Sequence, residues 1–295
     1  QINVISLPDR TSRRFDMEKL RLALGLEWNY IEALPAHDSL VGGIIDWVNA
    51  KFAWPHNIDE LAMSSQDLDL WSSDIPGTPA RISSPPPYRP ITCATKNSDV
   101  ANFSSSLPEY LVLTPARIAC WHSHLSIIHR LANELTTGDT GVAFILEDDV
   151  DMEIDIAHQL RGLWPLLPEL WDIVFLGHCW SDEHRGRLLS PGLSKSLIDD
   201  TSFQLYESTS PKCTHAYALS RIGARRLLLH LRYSPFAYSR AIDQAFSWLV
   251  ESGRLKSFSV VPSLAVQRKI ADSDVMVGKG AGSKWIDTLT KGVFS

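Results

Sequence analysis

The chain has 295 residues, with 28 basic against 34 acidic side chains and a net charge of −6. That balance argues against a broad phosphate-binding face and so against nucleic acid as a partner. A hydrophobic content of 44% is ample for a substantial core, and no stretch of the sequence reaches the roughly 18 to 20 uninterrupted apolar residues of a membrane span.

Gln1 in place of an initiator methionine reads as a trimmed or processed start, so membrane contact is expected only through an anchor preceding it. Ile2 to Leu7 then predicts a first strand, followed by Pro8-Asp9-Arg10 and a helix capped by Thr11 or Ser12. Phe15, Met17, Leu20 and Leu24 fall near helical spacing on one face, with Gly25 as the stop. A loop at the carboxyl end of a first strand is where open α/β sheets bind ligands, and Arg10, Arg13 and Arg14 supply charge there for a diphosphate.

From Asp38 to about Pro108 the pattern breaks into Ser, Pro and Asp clusters with scattered tryptophans at 47, 54 and 71. So long an irregular stretch is expected to be an inserted lid or acceptor surface. Its tryptophans suit either a sugar-stacking platform or small satellite cores. Thr114-Pro115-Ala116 opens a helix on which Ile118, Trp121, Leu125, Ile128 and Leu131 make a buried stripe. His122 and His124, two residues apart, point to different faces and are expected in core or capping roles rather than on one metal.

Phe144-Ile145-Leu146 is an apolar strand that runs directly into Glu147-Asp148-Asp149. Three adjacent carboxylates at the end of a buried strand are costly unless a cation accompanies them, and oxygen ligands favour a hard divalent ion shared with a phosphate-bearing substrate. Asp151, Glu153 and Asp155 continue the acidity, but Ile154 stands where an EF-hand loop beginning at Asp149 needs glycine, which excludes a calcium loop. Further on, a helix to about Trp164, a strand over Trp171–Gly177 and a polar segment from Ser181 to Ser210 are predicted. A strand over His215–Leu219, helices over Arg221–Arg232 and Ile242–Glu251, and a last strand at Phe258–Val261 complete the series. Strands alternating with helices predict one α/β domain over 1–295 with a largely parallel, Rossmann-like sheet, interrupted by the insertion at about 38–108.

Four cysteines and the sequon Asn102-Phe103-Ser104 suggest the secretory pathway lumen, in Golgi or endoplasmic reticulum. Cys179 with Cys213 is the preferred disulfide, because each sits at the end of a predicted strand.

Five blocks, in order, carry a likeness to a known family. They are Leu7-Pro8-Asp9-Arg10 with Arg13-Arg14; Ile118 through Leu125; Ile145 through Val150; Trp171 through Gly177; and Tyr217 through Ala224. Together the chain resembles glycosyltransferase family 25, the lipooligosaccharide and procollagen galactosyltransferase group. The resemblance implies a GT-A type fold and an inverting transfer from a UDP-sugar, most often UDP-galactose, to a hydroxyl of a glycan or glycoprotein. It implies manganese, with magnesium as the alternative, held by Asp149, with Glu147 and Asp148 contacting sugar or ribose. The motif here is Glu-Asp-Asp rather than Asp-x-Asp. Leu7, Asp9, Arg10 and Arg13 would line the donor, and Ala36-His37-Asp38 matches the segment near the nucleobase. A late second metal ligand, frequently His, falls here on Gln267, with His215 as the alternative, and Arg268 with Lys269 would clamp the diphosphate. An inverting transfer needs a base for the acceptor hydroxyl, and Asp243, opening a helix after a Pro-containing loop, is the candidate. The rival expectations are a non-catalytic nucleotide-sugar- or partner-binding relative and a metal-dependent phosphohydrolase.

Overall fold

A computed structural model describes residues 1–51, 92–95, 99–100, 106–133, 141–179, 181–189, 203–233, 236–268 and 289–294. Trp54, Trp71, the sequon and Lys269 lie outside the described residues. The strands are β1 (Ile2–Ser6), β2 (Asn29–Glu32), β3 (Ala94–Thr95), β4 (Asp99–Val100), β5 (Val142–Glu147), β6 (Val150–Met152), β7 (Ile173–Cys179), β8 (Leu188–Leu189), β9 (Gln204–Glu207), β10 (Lys212–Ser220), β11 (Ser257–Val261) and β12 (Ala265–Gln267). The helices are α1 (Thr11–Leu24), α2 (Ser39–Lys51), α3 (Pro115–Asn133), α4 (Ile156–Leu163), α5 (Arg221–Arg232) and α6 (Ile242–Glu251).

Eight strands form one sheet in the order β2-β1-β5-β10-β7-β11-β9-β8. β1 is parallel to β2 and β5, and β7 to β11. β10 enters antiparallel between β5 and β7, and β9 antiparallel to β11. The α/β class with helices flanking a mostly parallel sheet agrees with the sequence. The antiparallel β10 departs from a purely parallel order: β7 and β10 are separated in the chain by β8 and β9, which pair antiparallel with each other.

Strand alternation divides the core into two layers. Ile5, Ala143, Ile145, Phe175, Tyr217 and Leu219 face α2, α3, α5 and α6. Val4, Leu146, Val174, Leu176, Ala216 and Ala218 face the side of α1 and α4. On α3 all five residues of the predicted stripe are buried, and His122, also buried, bonds the Tyr238 hydroxyl at 2.9 Å, a core role as expected.

Several details differ from the sequence reading, among them strands β2, β8 and β9, the last two inside the segment read as polar. Arg10, not Thr11 or Ser12, occupies the cap position of α1, without a side-chain cap bond. The Leu7–Arg10 turn sets up that start through backbone bonds, Arg10 N–H to the Leu7 carbonyl at 3.2 Å and Thr11 N–H to the Asp9 carbonyl at 2.9 Å. Phe15 is 63% exposed rather than part of the core face, and the Lys19 ammonium lies over its ring. The stretch after Asp38 opens as a regular helix, α2, which buries Val41, Ile44 and Val48. Gly42-Gly43 disguises it, since glycine is a poor helix former. Trp47 on α2 packs half-buried against the main core, as a core rather than platform residue. Gly25 does end α1, in the left-handed conformation at φ 59°.

From β1 the chain moves outward to β2, whereas from β5 it moves the other way to β7. The gap between the carboxyl ends of β1 and β5 is thus a topological switch point, where open α/β sheets form ligand crevices.

Candidate functional site

Glu147 ends β5 at that switch point, in register with Ile5 of β1. Asp148 and Asp149 form the turn into β6, and β6 pairs with β12, Gln267 opposite Val150. The acidic triplet is therefore held between the main sheet and a two-stranded satellite.

The three carboxylates have different surroundings. Asp148 is ion-paired to Arg13 at 3.1 Å, and the same guanidinium nitrogen stands 3.6 Å from Asp149. Glu147 accepts the Thr214 hydroxyl at 2.8 Å on Oε1, and His124 Nε2 lies 3.4 Å from that oxygen. The His124 ring stacks on Tyr217, whose hydroxyl is 3.0 Å from Nδ1. With Nε2–H facing the carboxylate, Nδ1 is left to accept that hydroxyl. Burial alone would raise the Glu147 carboxyl, but His124, His215 and Thr214 outweigh it and hold the group below its usual range. Asp149 goes the other way. Burial first, then the Glu147 charge, push it up to about 7, with Gln267 and Arg13 offsetting part of the rise.

Asp149 Oδ2 accepts the Gln267 amide at 3.0 Å, and its carbonyl accepts the Arg268 N–H at 2.6 Å. Its Oδ1 is buried without a hydrogen-bond partner among the described residues. A buried carboxylate oxygen with no donor, beside a second carboxylate held ionised, is short of positive charge, and a hard divalent cation with oxygen ligands fits that deficit. The other carboxylates do not close a cage around it. Among the described residues the one convergence of three His, Cys or carboxylate ligand atoms within 4.8 Å is Cys179, Cys213 and His215. The two sulfurs there form a disulfide with Cα atoms 5.6 Å apart, so they carry no thiolate for a metal. The disulfide itself is the predicted pair.

The remaining expected residues fall out as follows. Gln267 donates its amide N–H to Asp149 at 3.0 Å and so orients that carboxylate. His215 lies buried with Nε2 3.3 Å from the Ala265 carbonyl, and burial lowers its pKa. Its Nδ1 has no hydrogen-bond partner among the described residues. Arg268 pairs with Asp16 at 3.2 Å and stacks on Phe294 at 3.8 Å. Asp243, in the first turn of α6, accepts the Cys213 N–H at 3.3 Å and the Gln244 N–H at 2.8 Å. Leu7 and Arg10 are half-buried and Asp9 exposed at the loop after β1. Asp38 is a helix cap, its Oδ1 taking the Leu40 N–H at 2.8 Å. Sequence reasoning missed Thr214, the contact of His124 with Glu147 and the partnership of Asp16 with Arg268. Each depends on pairing between elements distant in sequence, 67 residues apart for Thr214 with Glu147 and 252 for Asp16 with Arg268, for which no local pattern exists.

Against family models and curated proteins, the chain finds no match. No helix among the described residues is long and apolar enough to cross a membrane. The disulfide is compatible with a lumenal or secreted protein.

Proposed function

We propose that the chain is a metal-dependent, inverting glycosyltransferase of GT-A type that moves a sugar, galactose in first place, from a UDP-sugar to a hydroxyl of a glycan or glycoprotein acceptor. The observation that carries this reading is the Glu147–Asp149 pair at the switch point, one carboxylate held ionised and the other pushed up to about 7 beside an unpartnered buried oxygen. Such a site attracts a divalent cation that one or two carboxylates share with substrate phosphates. When bound, manganese or magnesium would neutralise charge on the departing diphosphate.

In this reading Asp149 is the protein ligand, Gln267 keeps it in orientation, and Glu147 supplies the second negative charge while Thr214 and His124 hold it still. Arg13, already within reach of both aspartates, is the cationic partner for the diphosphate. Asp243 accepts the proton of the acceptor hydroxyl as its oxygen bonds the anomeric carbon and the carbon–oxygen bond to the diphosphate breaks, releasing UDP. The disulfide supports a secretory-lumen location.

The test is calorimetric titration of the chain with UDP, UDP-galactose, UDP-glucose and GDP-mannose, each with and without manganese. Manganese-dependent binding of UDP with one preferred sugar is expected. Absence of binding to all four would overturn the reading.

A further inference from the structure

Where β10 meets β7, the ladder is irregular. Lys212 pairs with Cys179 and Ala216 with Gly177, so four residue steps on β10 cover two on β7. Cys213, Thr214 and His215 make up the bulge. Three features hold it. Cys213 adopts φ 67°, a left-handed conformation rare outside glycine, and its side chain is tied to the end of β7 by the disulfide to Cys179. Gly177 leaves the room the bulge needs, since a Cβ there would stand 2.2 Å from both the Ala265 carbonyl and His215 Nε2.

The bulge sends one contact to each part of the candidate site. The Cys213 N–H reaches Asp243. The Thr214 hydroxyl reaches Glu147. The His215 ring meets the carbonyl of Ala265 on β12, the strand that carries Gln267 to Asp149. The Cys213 contact is made by its backbone N–H, which bonds a side chain at the irregular stretch of the ladder, while the adjacent Thr214 and His215 side chains go to two different parts of the site; bulges beside functional sites re-aim groups in this manner.

We infer that the disulfide-closed bulge is the positioning element of the site, with Thr214 the positioning residue for Glu147 and the Cys179–Cys213 bond the lock that keeps Thr214 and the Cys213 amide in place. Activity is therefore coupled to the oxidation state of that bond. The switching step is two-electron reduction by a dithiol: the dithiol leaves as its cyclic disulfide, and its two electrons and two protons convert the bridge into two thiols. The activity arm of this inference rests on the glycosyltransferase reading; the conformational arm does not.

The experiment compares the oxidised chain, the same chain reduced by a dithiol, Thr214→Val and Thr214→Ser. Readouts are sugar transfer and amide hydrogen exchange across 212–216, with β5 as the folding control. Thr214→Val should lower kcat by about 10–100-fold, the usual effect of removing a partner that orients a site residue, and leave the donor KM within about 3-fold. Thr214→Ser, which keeps the hydroxyl, should restore kcat. Reduction should lower kcat similarly and speed exchange of the Cys213 amide by about 10-fold or more while β5 stays protected. Unchanged Cys213 exchange on reduction, or a Thr214→Val chain as active as Thr214→Ser, would overturn the inference. If the oxidised chain transfers no sugar from any donor, the glycosyltransferase reading fails by itself, and the exchange comparison still decides whether the disulfide locks the bulge.

Discussion

Replacing Asp149 by Asn probes the electrostatics of the acidic site with no assay of turnover. Burial and the Glu147 charge push the Asp149 carboxyl from an ordinary 3.8 to about 7. Between those values the folded chain holds a proton that the unfolded chain has released. Its contribution to stability is therefore fully present below 3.8 and lost as pH rises to about 7, at about 1.4 kcal/mol per pH unit. The whole window amounts to about 4 kcal/mol, of which about 2–3 kcal/mol falls between about pH 5 and pH 8. Asn has no proton to lose and retains an oxygen for the Gln267 amide. Relative to wild type, Asp149→Asn should therefore gain about 2–3 kcal/mol on moving from about pH 5 to pH 8. Urea unfolding in the presence of a chelator, at both pH values, measures this directly. Added manganese should stabilise the wild type at the higher pH and leave the Asn chain unchanged, since a ligand that binds only the folded state raises its stability. A gain the same at both pH values to within about 0.5 kcal/mol would refute the strained-carboxylate argument.

Gln267→Leu removes the amide that orients Asp149 and should weaken manganese binding by about 10–100-fold in calorimetry, with the chain otherwise folded. Gly177→Ala forces a methyl against the Ala265 carbonyl and the His215 ring; a loss of about 1–3 kcal/mol is expected in urea denaturation. Asp243→Asn keeps the backbone amide contacts of the first turn of α6 but cannot take a proton. Its kcat for transfer should fall by about 10²–10⁴-fold with donor KM within about 3-fold; a kcat within twofold of wild type would remove Asp243 from the mechanism.

The elements that carry the core were legible because their signals are local and strong. The stripe Ile118–Leu131, the apolar runs into Glu147 and Gly177, and the Gly25 stop needed only periodicity and one left-handed glycine. β2 and β9 escaped because they are four residues each at or near a sheet edge, half-exposed and without continuous apolar runs. α2 escaped because its glycines mask a buried stripe that only tertiary packing rewards. In the site, the acidic triplet announced itself by its cost in a buried strand end, and the Cys179–Cys213 pair by two strand ends. The polar partners did not, since Thr214 reaches Glu147 only through a bulge whose register is set by Gly177 and the disulfide.

Charge placement around the crevice also explains why arginines expected on a diphosphate are found on carboxylates. Among the described residues, Asp148 and Asp149 share Arg13 as their ion-pair partner, and Asp16 holds Arg268 just beyond β12. The side chains of these pairs are about 9–22% exposed, so each charge is largely taken from water and depends on its partner. Exchange of one anionic partner for another then costs far less than stripping a charge bare. In the proposed reaction a divalent cation held by Asp149 would offset that carboxylate's pull on Arg13, leaving Asp148 as the guanidinium's partner, and the planar fork of Arg13 would suit phosphate oxygens that the cation attracts. Cation and diphosphate would therefore reinforce each other at the same cluster of charges. The expected consequence is that UDP affinity rises with manganese in the wild type, and that Arg13→Ala lowers UDP affinity mainly when manganese is present. An Arg13→Ala chain whose UDP affinity drops equally with and without the metal would show that the guanidinium binds phosphate independently of the acidic turn.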